Sequence, residues 1–252
     1  MSSETTARLA VLIDADNATP KSASHLLEEI AKYGTAFVKR AYGDWTGTNL
    51  TGWKEQLLTH SIQPVQQFPY TQGKNATDSA MIIDAMDLLY TNRFNGFCIV
   101  SSDSDFTRLA ARIRESGLVV YGFGEGKTPK PFVKACDKFI YIENILPERQ
   151  DRAGVLTSPQ LHQRTPSTKI QMDSVVKERL KKAIEASSDE TGWANLAKVG
   201  GLMTKQYPEF DPRTYGFDKL GHLISKLHLF EIEQRSPGPG KPMVVYTRIP
   251  PA

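Results

Sequence analysis

Two aspartates stand one residue apart at two places in this chain, and both places follow an apolar run. Leu9-Ala10-Val11-Leu12-Ile13 leads into Asp14-Ala15-Asp16-Asn17, and Phe97-Cys98-Ile99-Val100 leads through Ser101-Ser102 into Asp103-Ser104-Asp105. Unbroken apolar runs of this length read as strands buried on both faces. Open α/β sheets place their chemistry at the carboxyl ends of such strands, where the strand order reverses. If the two strands are neighbours there, Asp14 and Asp103 share one crevice. Asp78 opens a helix whose preceding loop reaches the same edge. Three carboxylates in one crevice repel unless a cation sits between them, and hard oxygen ligands suit Mg2+ or Mn2+. Such an ion activates water and stabilises the leaving oxygen of a phosphodiester. The ordinary alternative is helix capping, which Asp16, Asp103 or Ser104 would each perform alone. Two buried strands that both end in Asp-X-Asp favour the site over the caps.

The elements that must position these residues follow in chain order. Thr19-Pro20 starts a helix, with Thr19 as N-cap, and Ala23, Leu26, Leu27, Ile30 and Ala31 form its apolar stripe. Strands are expected at 35–41 with Phe37 and Val38, at 62–68 (weakened by Pro64), at 97–100, at 118–123 and at 139–142. Helices are expected at 50–60 with Trp53, Leu57 and Leu58 inward, at 78–90, at 106–116 and at 129–135. Asp84 and Asp87 fall on the wet side of the third helix. Strands alternating with helices give a parallel sheet with crossover connections. The expected class is therefore α/β, a Rossmann-like parallel sheet, followed by a second, smaller domain.

That second part has a different pattern. Residues 147–171 are polar, carry Pro159 and Pro166, lack aromatic residues and read as a flexible linker. Helices at 173–186, 193–206 and 217–227 then precede two short strands at 229–233 and 243–248, joined through Ser236-Pro237-Gly238-Pro239-Gly240-Lys241. Three helices and a hairpin form a winged-helix pattern. Lys219, His222 and Lys226 share one face of the third helix, opposite Leu220, Leu223 and Leu227, as a nucleic-acid-contacting helix divides. Arg213 and Tyr215 just before it offer a charge and a stacking ring. A solvated helix face would show the same spacing.

Composition sets outer bounds. The net charge of +3 is spread as −1, +2 and +2 over residues 1–146, 147–169 and 170–252, so bulk charge does not argue for nucleic acid. Cys98 and Cys136 lie in apolar surroundings as free thiols, and no Cys/His spacing suggests zinc. The start of the chain lacks the pattern of a signal peptide, and no apolar run is long enough for a membrane span, so a cytoplasmic protein is expected.

The motifs also carry resemblances. Leu12-Ile13-Asp14-Ala15-Asp16-Asn17, Lys74-Asn75-Ala76-Thr77-Asp78 with Ile82-Ile83-Asp84-Ala85, and Val100-Ser101-Ser102-Asp103-Ser104-Asp105-Phe106 resemble, in order, the three motifs of NYN domains. These are the LabA-like branch of the PIN-like nuclease superfamily. The resemblance spans about residues 8–145, and Ile113-Arg114-Glu115-Ser116-Gly117 and Val120-Tyr121-Gly122 extend it. It implies a divalent-metal-dependent endoribonuclease. Asp14, Asp78 and Asp103 would hold Mg2+ or Mn2+, Asn17 would orient the first motif or contact substrate, and Asp105 would support or extend the ligand set. Asp16 and Ser102 stand where glycine is common, so a non-catalytic RNA-binding regulator with a decayed site is the alternative. Lys74, Lys127 and Lys130 would hold phosphates beside the cut, whereas Arg108, Arg112 and Arg114 read as a wet helix face. Phe210-Asp211-Pro212-Arg213-Thr214-Tyr215-Gly216-Phe217-Asp218-Lys219-Leu220 resembles the signature of LOTUS, or OST-HTH, domains, over about residues 172–248. That resemblance implies RNA binding, single-stranded or structured, with Tyr215, Gly216 and Lys219 on the contact helix, and in some members a protein partner. Asp14-Ala15-Asp16 also admits an HAD-type phosphatase with Asp14 as nucleophile, although Ala18 replaces the Thr or Val expected there. The expected division is 1–146 nuclease domain, 147–171 linker and 172–252 winged helix.

Overall fold

A computed structural model describes residues 6–68, 76–147, 166–236, 238 and 240–250. Lys74 and most of the expected linker lie outside the described residues. The chain divides into two compact units, with the main boundary at Leu146/Pro147.

The first unit is a six-stranded parallel sheet. Its strands are β1 (Arg8–Asp14), β2 (Thr35–Gly43), β3 (Gln63–Gln66), β4 (Gly96–Val100), β5 (Val119–Gly124) and β6 (Lys138–Tyr141), in the order β3-β2-β1-β4-β5-β6. The order reverses between β1 and β4, which pair from Leu9↔Gly96 to Ile13↔Val100. The two Asp-X-Asp strands are therefore the central neighbours of the sheet. Alternation along each strand splits the core in two. Ala10, Leu12, Tyr42, Phe97 and Ile99 face one side and meet Met81 and Ala85 of α3 (Ala76–Tyr90), Leu109 and Ile113 of α4 (Thr107–Glu115), and Phe132 of α5 (Lys130–Ala135). Leu9, Val11, Ile13, Cys98 and Val100 face the other side, with Leu26 and Ile30 of α1 (Ala23–Ile30) and Trp53 of α2 (Trp53–Thr59). Helices on both faces explain why β1 is apolar from Leu9 to Ile13 and β4 from Phe97 to Val100.

Several local expectations need correction. Leu58 is 84% exposed, because α2 is short and presents only Trp53 and Leu57 to the sheet. Phe37 is also exposed, under the guanidinium of Arg8. Thr19 makes no side-chain cap; Ser22 instead donates its hydroxyl to the Thr19 carbonyl in a 3-10 turn. Asp84 is not solvated: Arg40 and Tyr42, both on β2, donate to its two carboxylate oxygens.

The second unit holds α6 (Pro166–Ser187), α7 (Leu196–Gln206), α8 (Leu220–Leu227) and an antiparallel sheet of β7 (Ala194–Asn195), β9 (Val244–Arg248) and β8 (Glu231–Arg235), in that order. Val176, Leu180, Ile184, Val199, Met203, Leu223 and Ile224 are buried and form its core. Trp193 lies outside α7, since the strand β7 intervenes. The third helix, α8, starts at Leu220 rather than at residue 217: Gly216 sits at φ +84° and Lys219 is extended, so the segment between cannot be helical. Among the described residues no helix is long and apolar enough to cross a membrane.

Candidate metal and nucleic-acid site

The acidic site forms where β1 and β4 end side by side. Asp14 is the last residue of β1 and is fully buried. Its Oδ2 accepts from the Ser101 hydroxyl at 2.7 Å and from Asn17 Nδ2 at 2.8 Å, and its Oδ1 accepts from the Asn17 backbone N–H at 3.3 Å. Burial pushes its carboxyl upward, and the bonds from Ser101 and Asn17 oppose that shift. Ser101 also accepts from the Asp103 N–H at 3.0 Å, and Asp103 Oδ1 accepts from the Asp105 N–H at 2.9 Å. A chain of hydrogen bonds thus runs from the loop after β4 down to the end of β1. Asp103 does act as a cap, for the 3-10 turn Ser104–Phe106. Capping and site-building coincide here, because the cap uses one oxygen of the carboxylate.

Asp78 enters from the first turn of α3. One carboxylate oxygen each of Asp78, Asp103 and Asp105 lies within 4.8 Å of the others. Among the described residues, this convergent set includes Asp105 and leaves out Asp14. Burial, and then the charges of Asp14, Asp103, Asp105 and Asp16, together push the Asp78 carboxyl up to about 6. Crowded carboxylates repel one another, and a divalent cation between them relieves that repulsion. Oxygen donors alone, in a half-open crevice, fit Mg2+ or Mn2+.

The structure gives partners to the atypical residues. Asp16 is exposed and accepts from the Thr77 hydroxyl at 3.0 Å, tying the loop after β1 to the start of α3. Ser102 accepts from the Glu125 N–H at 2.9 Å and so joins the loops after β4 and β5. Ser101 was visible in the sequence only as a small hydroxyl ending a strand; its place between Asp14 and Asp103 requires the fold. Arg114 pairs with Asp137 at 2.9 Å, and Arg112 donates to Ser116 and Tyr90, as a wet helix face does. Lys127 pairs with Glu125 at 2.8 Å, and Lys130 is exposed at the start of α5.

In the second unit, Lys219, His222 and Lys226 are all exposed. Arg213 is held by Asp211 in a bidentate pair, with Nη2 at 2.6 Å from Oδ2. Tyr215 is half-buried, its ring 6.3 Å from that of Phe210. The structure thus keeps the lysines and histidine outward and draws Arg213 and Tyr215 into the turn before α8.

The NYN domain profile matches residues 8–143, and the OST-HTH/LOTUS domain profile matches residues 172–242. The chain belongs to the NYN family. Its NYN domain is that of a nuclease superfamily, and it precedes a domain of an RNA-binding type. Solved structures that this NYN protein resembles include a protein of unknown function from Vibrio parahaemolyticus, 18% identical, covering 56% of this chain and 96% of that one, with a TM-score of 0.47. An uncharacterized protein from Nitrosomonas europaea is 34% identical over 40% of this chain and 94% of that one, with a TM-score of 0.29. A fragment of a protein from Chromobacterium violaceum is 31% identical over 29% and 78% of the two chains, with a TM-score of 0.25. No curated protein matches the chain.

Proposed function

We propose that the NYN domain is a divalent-metal-dependent endoribonuclease and that the OST-HTH domain holds its RNA. The convergence of Asp78, Asp103 and Asp105 at the reversal point of the sheet carries this reading. These three would hold Mg2+ or Mn2+; the bound ion supplies an activated water and neutralises charge on the phosphodiester. Asp14 acts indirectly: it fixes Ser101, which fixes the Asp103 backbone, and it adds negative charge that tightens the site for a cation. Asn17 holds Asp14 in place through two donated bonds. The Asp105 N–H donates to Asp103 Oδ1, which orients the Asp103 carboxylate and fixes the Asp105 backbone beside it. In domain terms, residues 1–146 cut, residues 172–252 hold, and residues 147–171 join them, which raises the effective concentration of one function around the other.

The deciding experiment is a cleavage time course on end-labelled single-stranded RNA with Mn2+ or Mg2+, with RNA binding recorded alongside. The unsubstituted protein cleaves, and Asp103→Asn loses about a hundredfold or more of the rate while retaining binding. Binding by both proteins without cleavage in either metal would replace this reading with that of a non-catalytic RNA-binding regulator.

A further inference from the structure

The OST-HTH unit contains a groove of about 890 Å3 between α7, α8 and the β8–β9 wing. Leu196, Leu220, Ile232, Val245 and Met243 make its aliphatic walls. Ile232 is 36% and Met243 54% exposed, so two apolar side chains face solvent inside a concave surface. Lys219 and His222 stand in its lining on the α8 side, and none of the lining residues is a carboxylate.

The opposite face of the wing is built differently. Residues of a strand alternate between faces, so Glu231, Glu233 and Arg235 lie opposite Ile232 and Gln234. On that face the Arg235 guanidinium packs on Trp193 at 4.8 Å and on Tyr246 at 4.7 Å, and Arg248 packs on Trp193 at 4.7 Å. Glu233 and Glu231 pair with these arginines. The cation–π stack pins the wing, so the groove wall it forms is preset. The carboxylates of the wing are gathered on the stacked face, which leaves the groove face cationic at its rim and apolar within.

We propose that this groove takes unpaired bases of single-stranded RNA, with the flanking phosphates on Lys219, His222 and Lys226. The inference rests on the RNA reading above and deepens it by naming the form of RNA. A partner that is both polyanionic and apolar in its faces matches the surface. In a duplex the base faces are stacked and hidden and only phosphates and sugar edges are offered, for which aliphatic walls provide nothing. In a single strand the faces are open and gain from burial against Leu196, Leu220 and Ile232. Beside the aliphatic walls, the His222 ring and the polar side chains of Asn195, Ser225 and Gln234 line the groove, where they meet the edges of an unpaired base.

The test is fluorescence anisotropy of the full chain with a short mixed-sequence RNA, alone or annealed to its complement, in EDTA so that the strand stays intact. The single strand binds about tenfold more tightly than the duplex, and Ile232→Glu or Met243→Glu removes about that factor for the single strand alone. Glu233→Gln, on the other wing face, leaves single-strand binding unchanged. Circular dichroism melting of each variant verifies its fold, and two exposed positions keep the test decisive if one variant unfolds. Equal affinity for both RNA forms, or single-strand binding indifferent to both groove substitutions, overturns the inference while the RNA reading stands. Failure of the unsubstituted protein to bind either form overturns both.

Discussion

At the scale of single residues, the acidic site sets stability against function. Asp78 is raised to about 6 by burial and by its carboxylate neighbours, whereas an unfolded aspartate titrates near its ordinary value of 3.8. Between these values the folded, metal-free protein binds more protons than the unfolded chain, so its stability falls as pH rises from about 4 to about 6. Asp78→Asn removes the repelling charge. It should raise the melting temperature of the metal-free protein at neutral pH by about 3 °C or more, and flatten that pH dependence, while abolishing cleavage. Calorimetry in EDTA across this range checks both parts, and a lower melting temperature in the variant would contradict the electrostatic account. The aspartates themselves were readable in the sequence, because a polar residue directly after an apolar run can only emerge at a sheet edge. Their division of labour was not. Asp105 joins the convergent oxygens and Asp14 bonds to Ser101 instead, and such placement depends on rotamers and backbone turns that spacing does not encode.

At the scale of elements, α3 must be held so that its first turn presents Asp78. Its second motif, around Asp84, supplies the hold. Arg40 and Tyr42 of β2 donate to the two oxygens of Asp84, while Met81 and Ala85 pack beneath on the sheet. Burial and the Asp84 charge push the Tyr42 phenol far upward, which keeps it a hydrogen-bond donor at every working pH. Asp84→Asn turns one acceptor oxygen into an NH2 that faces a donor. The expected loss is about 1–3 kcal/mol of stability, measured by urea denaturation, with a weaker Mn2+ response in cleavage although Asp78 is untouched. The sequence showed α3 as an amphipathic helix and left Asp84 on its outer side, since helical spacing describes one helix and its partners lie on β2, three elements earlier. Similarly, the start of α8 was set by Gly216 in the left-handed region and by extended Lys219, which an apolar stripe extrapolated backwards passes over. Strand identity and sheet order were more accessible, because strands buried on both faces have a composition of their own.

At the scale of the whole molecule, the proposed division into a unit that cuts and a unit that holds predicts a separation of kinetic effects. Lys219→Ala should raise KM for single-stranded RNA severalfold and reduce the salt dependence of binding, with kcat unchanged, since in the proposed mode the lysine holds phosphate and not the reacting bond. Steady-state cleavage at several salt concentrations checks this; an equal fall in kcat would place Lys219 in the chemistry. Composition gave no hint of such a division, as neither unit is strongly charged, and the two domain signatures had to be read from local motifs instead. The sheet order also has a consequence in time. The bond from Ser101 to Asp14 closes a separation of 87 residues, and β1 gains its β4 neighbour only after β2, α2, β3 and α3 have been made. Loop closure over such a distance is slow, and pairings of this kind form late in folding. A chain growing from its N-terminus on the ribosome, itself built of RNA, carries Asp14 and Asp78 long before Asp103 and Asp105 exist to face them. The NYN domain is thus synthesised in a form that lacks two of its three convergent carboxylates, and on the proposed reading it becomes competent to cut only once the centre of its sheet has closed.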